Sequence, residues 1–352
     1  MNYLIKTSIC FLILLFGQSQ AGWTEEEMTN AIQVAKIRNE DGTIPCGRDN
    51  ICNCGKQDPD CEDILPDVPS FPAVTAGAAI VVDRVSGRVL GGKSSDTKWA
   101  PASTTKIMTG LLAFEAVSAG TVSLNDIVTI QADVSVEGGG QICLKVGDTV
   151  SLRDLLHMAL MSSENDAAVA VGTYVGGSRA AFIAMMNRRA AQLGLSNTSY
   201  VDISGRDPED FIDGCSGNEF ENPSCAHFTT ARDLAALARI ALDDPLFARI
   251  VSRTTWTTTT WRRNSVVPGR PKSDLDVVLT TTNRLLRNTQ PEFYAGAYGV
   301  KTGTTDRSGS NLVSAATRGN GDVIAVVLGS DPDDTKTGDR FSDSRALLNF
   351  GF

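Results

Sequence analysis

The chain has 352 residues, with 41 Asp plus Glu against 32 Lys plus Arg and a formal net charge of −9. That acidic balance argues against a nucleic-acid partner, which would call for a basic surface. The length allows a sizeable core, in one large domain or two intertwined ones.

Residues 1–21 hold Lys6, an apolar run from Ile9 to Gly17 and the small-x-small pattern Ser19-Gln20-Ala21. The run falls short of the roughly 20 residues a membrane span requires, so it reads as a secretory signal peptide. No later stretch approaches that length, and no transmembrane segment is expected. The expected location is outside the cytoplasm, in the periplasm or cell-wall space, soluble or peripherally associated.

Residues 22–73 read as an extension. A helix is predicted over 24–38, where Thr24 can cap and Met28, Ile32 and Ala35 recur at helical spacing. Asp, Gly, Pro and Cys then dominate without periodicity. Export makes disulfides chemically favourable. Cys215 and Cys225, enclosing a polar stretch, are the expected local pair; Cys46, Cys52, Cys54 and Cys61 form a second cluster, and Cys143 lies far away. Removing Cys10 with the signal leaves seven of eight cysteines, so one thiol stays free or pairs outside the chain. The spacing C-x5-C-x-C-x6-C lacks the paired knuckles of common zinc sites, and no metal or cofactor is expected.

From Gly77 the pattern becomes regular. AAIVVD and RVLGG read as two strands joined by a tight turn. Helices are predicted over 103–118, 151–163 with Ser151 as cap, 165–175, 178–193 and 229–244. Strand signals return at 254–261, 295–300, 310–318 and 322–330, and SDSRALLNFGF closes the chain as a helix. Strands at both ends of this region imply one sheet assembled from the two termini. The helices between them become an inserted all-helical lobe, with a cleft between the lobes.

Three short motifs carry the chemistry: Ser103-Thr104-Thr105-Lys106, Ser163-Glu164-Asn165 and Lys301-Thr302-Gly303-Thr304. Each has decoys. Another S-x-x-K spans Ser95 to Lys98, other S-x-N tripeptides start at Ser123 and Ser216, and a second KTG starts at Lys336. Context chooses among them. Ser103 opens an apolar helix on which Lys106 lies one turn away, within reach of the serine hydroxyl. A helix N-terminus also sets backbone N–H groups beside a reacting carbonyl. A lysine takes the serine proton only when neutral, which requires burial or neighbouring cations, and Lys301 is a source of such a field. His157 and His227, the only histidines, have no nucleophile motif nearby and read as structural. Ser163 falls where a buried helix breaks, positioned to relay a proton, with Asn165 orienting Lys106 and the substrate backbone. On the strand that follows AYGV, alternation sends Lys301 and Gly303 one way and Thr302 and Thr304 the other. The Thr304 N–H is expected to join that of Ser103 as an oxyanion hole.

These motifs sit within longer segments, PASTTKIMTG, SSENDAAVAVG, GGSRAAFIAMMNRRAAQLGLSNTSYVDISGRD, HFTTARDLAALAR, TTNRLL, YGVKTGTT and RFSDSRALLNFGF. In that order they resemble the serine-type D-alanyl-D-alanine carboxypeptidases, the low-molecular-mass penicillin-binding proteins, over residues 74–352. The resemblance implies a β-lactamase/transpeptidase-like α/β fold, an antiparallel sheet flanked by helices with the inserted helical lobe. It implies that Ser103 attacks the bond between two D-alanines of a peptidoglycan stem peptide, with Lys106 as base and with Ser163 and Asn165 assisting. Lys301 and Thr302 would hold the terminal carboxylate, and β-lactams would acylate Ser103 as inhibitors. A D,D-endopeptidase cutting crosslinks uses the same residues and stays open, as do, more remotely, a β-lactamase and a non-catalytic wall-binding scaffold. The chain departs from many members in four ways: no small β-rich domain and amphipathic helix follow, the 206–226 cysteine loop lengthens the region before Lys301, Glu164 replaces a small residue, and the 39–71 extension is unusual.

Overall fold

The computed structural model describes residues 70–352, apart from 133, 135–138, 216–219, 264–272, 275 and 332–338. The expected signal peptide, the 24–38 helix, the cluster Cys46 to Cys61, and the decoys at Ser216 and Lys336 lie outside the described residues. Phe71–Phe352 forms one compact unit.

The strands are β1 (Ala78–Asp83), β2 (Val89–Lys93), β3 (Ile127–Thr129), β4 (Thr149–Ser151), β5 (Thr255–Thr257), β6 (Arg262–Arg263), β7 (Ser273–Asp274), β8 (Val278–Thr280), β9 (Ala297–Thr305), β10 (Gly309–Arg318) and β11 (Gly321–Ser330). The α-helices are α1 (Lys106–Ser118), α2 (Leu152–His157), α3 (Asn165–Gly176), α4 (Arg179–Gln192), α5 (Ala231–Leu242), α6 (Pro245–Val251) and α7 (Arg340–Gly351). The main sheet is antiparallel in the order β2-β1-β11-β10-β9, so strands from both ends of the unit meet in it as the sequence implies.

Both faces of this sheet are covered, because its strands are apolar on both sides. On β1, Ile80 and Val82 join the core shared with α1 and α5, whereas Ala79 and Val81 join the smaller core with Leu347 and Leu348 of α7. Each such valine, leucine or isoleucine, fully removed from water, contributes about 1.5–3 kcal/mol before entropy is counted. The run TTWTTTTW forms less strand than expected, only β5, because Thr258 to Trp261 bends away: its N–H groups at Thr259 and Thr260 bond to the Asp154 carboxylate.

The helical lobe follows its caps. Ser151 accepts the N–H of Asp154 at the start of α2, Ser178 that of Ala181 in α4, and Thr230 that of Asp233 in α5. The predicted helix over 151–163 changes character part-way, loosening from α2 into a π turn at Met158–Ser162 that ends on Ser163 in the left-handed region, φ 72°. The small residues of α3 let it pack against α1, α2 and α4. The expected local disulfide, Cys215–Cys225, is formed, and Cys143 is free and exposed.

Candidate active site

Ser103 sits in a single 3-10 turn, Ala102–Thr105, leading into α1, and this turn packs against β9 at the free edge of the sheet. Asn311 of β10 holds the approach, its Nδ2 donating to the carbonyls of Ala100 and Pro101 at 3.0 and 3.2 Å. Ala102 is forced to φ 48°, backbone strain of the kind that persists where surrounding contacts over-determine it.

Lys106 is fully buried. Its Nζ lies 2.8 Å from Ser103 Oγ, 2.7 Å from Asn165 Oδ1 and 2.8 Å from the Ser204 carbonyl. Two of these partners can only accept; the serine hydroxyl can also donate. A neutral amine donating to Asn165 and Ser204 therefore turns its lone pair to Ser103. The sequence expectation for Ser103, Lys106 and Asn165 meets in one contact set, and the Ser204 carbonyl is an addition that no motif announced.

Ser163 leaves the π turn with its Oγ 2.8 Å from Lys301 Nζ, which also donates to the Thr302 carbonyl at 3.0 Å. Lys301 is 1% exposed, and burial, then the charges of Lys106 and Arg340, push its pKa well below the ordinary lysine value. The expected positive field is thus mutual: each lysine burdens the other, and Lys301 stands behind Ser163 rather than at the cleft surface. Glu164 is held above the usual carboxylate range by burial, against the opposing pull of a Ser162 hydrogen bond and the two lysines.

Along β9 the pairing with β10 is regular from Gly299 to Thr305, so the alternation anticipated for Lys301 to Thr304 holds. Lys301 and Gly303 face the helical lobe. A Cβ on Gly303 would lie 3.0 Å from the Ser103 nitrogen and 3.1 Å from that of Thr104, so only glycine lets the strand lie this close. Thr302 Oγ1 meets Thr282 Oγ1 at 2.6 Å. The Thr305 N–H turns toward β10 to reach Ser308 Oγ, and strand alternation therefore turns the Thr304 N–H outward, toward Ser103. Arg340, at the start of α7, donates to the Gly303 carbonyl and Thr304 Oγ1 at 2.9 and 2.7 Å. Arg340 comes from the far end of the chain, and its local sequence carries no sign of this role.

These groups line one cleft of about 1100 Å³, which includes Ser103, Ser163, Asn165, Thr302 to Thr305 and Arg340. Asp207, Glu209 and Asp210, from the segment leading into the disulfide loop, form another wall. The decoys lie elsewhere: Ser95 bonds to Asp96 and Arg232 on the surface, Lys98 pairs with Glu221, and Ser123 closes an exposed turn. His157 stacks on Trp256 and His227 meets Thr105 Oγ1; burial lowers both pKa values to about 4, as suits structural histidines. Among the described residues no cluster of His, Cys, Asp and Glu could hold a metal ion.

A main sheet covered on both faces, an inserted helical lobe and a buried lysine beside a serine at the lobe junction define the β-lactamase/transpeptidase class of fold. The chain belongs to the D-alanyl-D-alanine carboxypeptidase family, Peptidase_S11, whose model matches residues 66–332. It is 35% identical over 288 residues to the D-alanyl-D-alanine carboxypeptidase DacC of Escherichia coli, covering 80% of this chain and 62% of that protein. The chain thus spans less than two thirds of that relative's length. Among solved structures it resembles a mutant of the Streptomyces K15 DD-transpeptidase, at 30% identity and a TM-score of 0.65, covering 80% of this chain and 99% of the other. It also resembles Penicillin-Binding Protein D2 of Listeria monocytogenes in its ampicillin-bound form, at 29% identity, TM-score 0.63, 80% of this chain and 100% of the other. Among the described residues no single helix is long and apolar enough to cross a membrane.

Proposed function

We propose that this protein is an exported serine-type D-Ala-D-Ala carboxypeptidase acting on peptidoglycan stem peptides in the periplasm or cell-wall space. The observation that carries the reading is the Lys106 Nζ, 2.8 Å from Ser103 Oγ with two obligate acceptors on its other side. Lys106 takes the hydroxyl proton as Ser103 Oγ bonds to the carbonyl carbon of the penultimate D-alanine. The developing oxyanion accepts from the N–H groups of Ser103 and Thr304. Ser163, bonded to Lys301, passes a proton to the departing nitrogen, the C–N bond breaks and D-alanine leaves. Water then cleaves the ester: Lys106 returns its proton to the departing Ser103 Oγ, and the proton released by the new carboxylic acid replaces the one that Ser163 passed on, by way of Lys301. Thr302 and Thr304, with Gly303 giving close approach and Arg340 beside them, receive the terminal carboxylate, for which a guanidinium is suited. A β-lactam, mimicking the dipeptide, stops at the acyl-enzyme.

The test is covalent labelling with a fluorescent penicillin beside a D-alanine release assay on a pentapeptide. Labelling at Ser103 that disappears in Ser103→Ala, together with free D-alanine, is expected. No labelling of folded protein, or equal labelling of the variant, overturns the reading. Conversion of muropeptide dimers to monomers without free D-alanine would move the activity to endopeptidase.

A further inference from the structure

Asp202 is fully buried, carries charge and lies outside the three motifs. Its Oδ1 accepts four hydrogen bonds, from the N–H of Ser204 at 2.8 Å, the Ser204 hydroxyl at 2.7 Å, the N–H of Gly205 at 2.7 Å and that of Arg206 at 3.1 Å. Its Oδ2 accepts from Arg179 Nη2 at 2.9 Å, with Arg206 Nη2 at 4.0 Å. One carboxylate thus shapes the whole 202–206 turn. That turn does two things at the site. Its Ser204 carbonyl receives Lys106 Nζ at 2.8 Å, and its Gly205 presses on the Ser103 turn, where a Cβ would lie 1.9 Å from the Ala102 carbonyl oxygen.

We infer that Asp202 is a positioning residue for the proposed base: it fixes the Ser204 carbonyl that aims Lys106 at Ser103, and its charge biases Lys106 toward the protonated form. Burial opposes ionisation of Asp202, but His227, the Ser204 hydroxyl, Arg179 and the Arg206 N–H reverse this and keep it below the usual carboxylate range. His227 is uncharged at neutral pH, so the hydrogen bonds and Arg179 sustain the anion there. The charged groups in play are then Arg179 at the start of α4 and Arg206 on the turn itself, with the titratable but neutral His227 before α5. Around Lys106 they are Lys301 on β9 and Glu164 before α3. Four hydrogen bonds are more than an asparagine oxygen matches, because the neutral amide is a weaker acceptor and its NH2 confronts the Arg179 guanidinium.

The inference rests on the proposed role of Lys106, so its test includes a reading that needs no activity. The full chain, carrying lysine labelled with 13C at Cε, is titrated by NMR, with Lys106 assigned by the loss of its signal in Lys106→Arg. The acid limb of the penicillin-labelling rate is measured alongside. Removing the anion lowers the proton affinity of a nearby amine, so Asp202→Asn should move the Lys106 midpoint down by about one pH unit. The acid limb should follow, with the plateau rate down about tenfold from misaim. Arg179→Gln removes the opposing cation at the more exposed end and should move the midpoint up by a smaller amount. It keeps the test decisive if Asp202→Asn fails to fold. Thr109→Val removes the bond from Thr109 Oγ1 to the Ile203 carbonyl, which steadies the same turn without charge, and should lower Tm with the midpoint unmoved. A midpoint unchanged in both charge variants, or displaced equally by Thr109→Val, overturns the inference. Absence of labelling in the wild type would instead overturn the acyl-enzyme reading and leave the NMR result to stand alone.

Discussion

At the scale of single residues, the site depends on which acceptors hold Lys106: Asn165 Oδ1 and the Ser204 carbonyl lie 2.7 and 2.8 Å from its Nζ. Asn165 is one of two groups that can only accept from it, so Asn165→Ala frees an N–H to compete for Ser103 and leaves the amine less well aimed. Penicillin labelling should slow by about a hundredfold while Tm changes little, since Asn165 lies at the start of α3 beside the cleft. A second residue-scale expectation concerns the histidines. His157 and His227 titrate near 4 in the folded chain against 6.5 when unfolded. The unfolded state therefore binds more protons between those values, and stability present above pH 6.5 is lost as pH falls toward 4, by at most about 3 kcal/mol per histidine. Thermal melts from pH 7 to pH 4 should show Tm falling, and His157→Gln should flatten the slope. A Tm independent of pH over that window would refute the assignment of buried, neutral imidazoles.

Among elements, the decisive contacts are backbone against backbone. The turn 202–206 and strand β9 both close on the Ser103 turn through a glycine. Gly205 has φ 92° and leaves no room for a Cβ, so Gly205→Ala should cost more than about 2 kcal/mol, read as a lower denaturation midpoint. Gly303 is less extreme. Its added Cβ would meet the Ser103 nitrogen at 3.0 Å, so Gly303→Ala should shift β9 by a fraction of an ångström, slowing acylation more than it lowers stability. The comparison of the two variants separates a glycine that the fold requires from one that the chemistry requires. The π turn before Ser163 belongs to the same scale: widening the helix by one residue per turn brings Ser163 out in a left-handed conformation facing Lys301, the kind of irregularity often found at functional sites.

Across the whole molecule, the segment leading to Cys215–Cys225 contributes a cleft wall through Asp207, Glu209 and Asp210. Asp207 ties that wall to the β9–β10 turn, accepting from Thr305 Oγ1 and the Arg307 N–H at 2.9 and 3.2 Å. Replacing both cysteines by serine should lower stability by about 2–3 kcal/mol, the chain-entropy value for a loop of this length, and leave penicillin labelling at Ser103 in place. Loss of labelling with the fold intact would show that the wall shapes the serine turn as well.

Much of this was legible in the sequence because it is local or periodic. The 3.6-residue spacing in α1, the Ser151 cap, the apolar strands of the sheet and the serine, lysine and asparagine at fixed offsets all follow from neighbours along the chain. So did the choice of Ser103 over Ser95, since one opens an apolar helix and the other a polar link. Tertiary structure alone decided the rest. That the Ser204 carbonyl binds Lys106 across 98 residues, that Arg340 reaches Thr304 from the last helix, and that Lys301 lies behind Ser163 are long-range contacts. A carbonyl has no sequence signature, an arginine at a helix start is commonplace, and the exposure of a strand residue depends on what packs over it. The motifs could name the reacting groups; only the fold could say which backbone oxygen, buried charge and missing Cβ hold them in place.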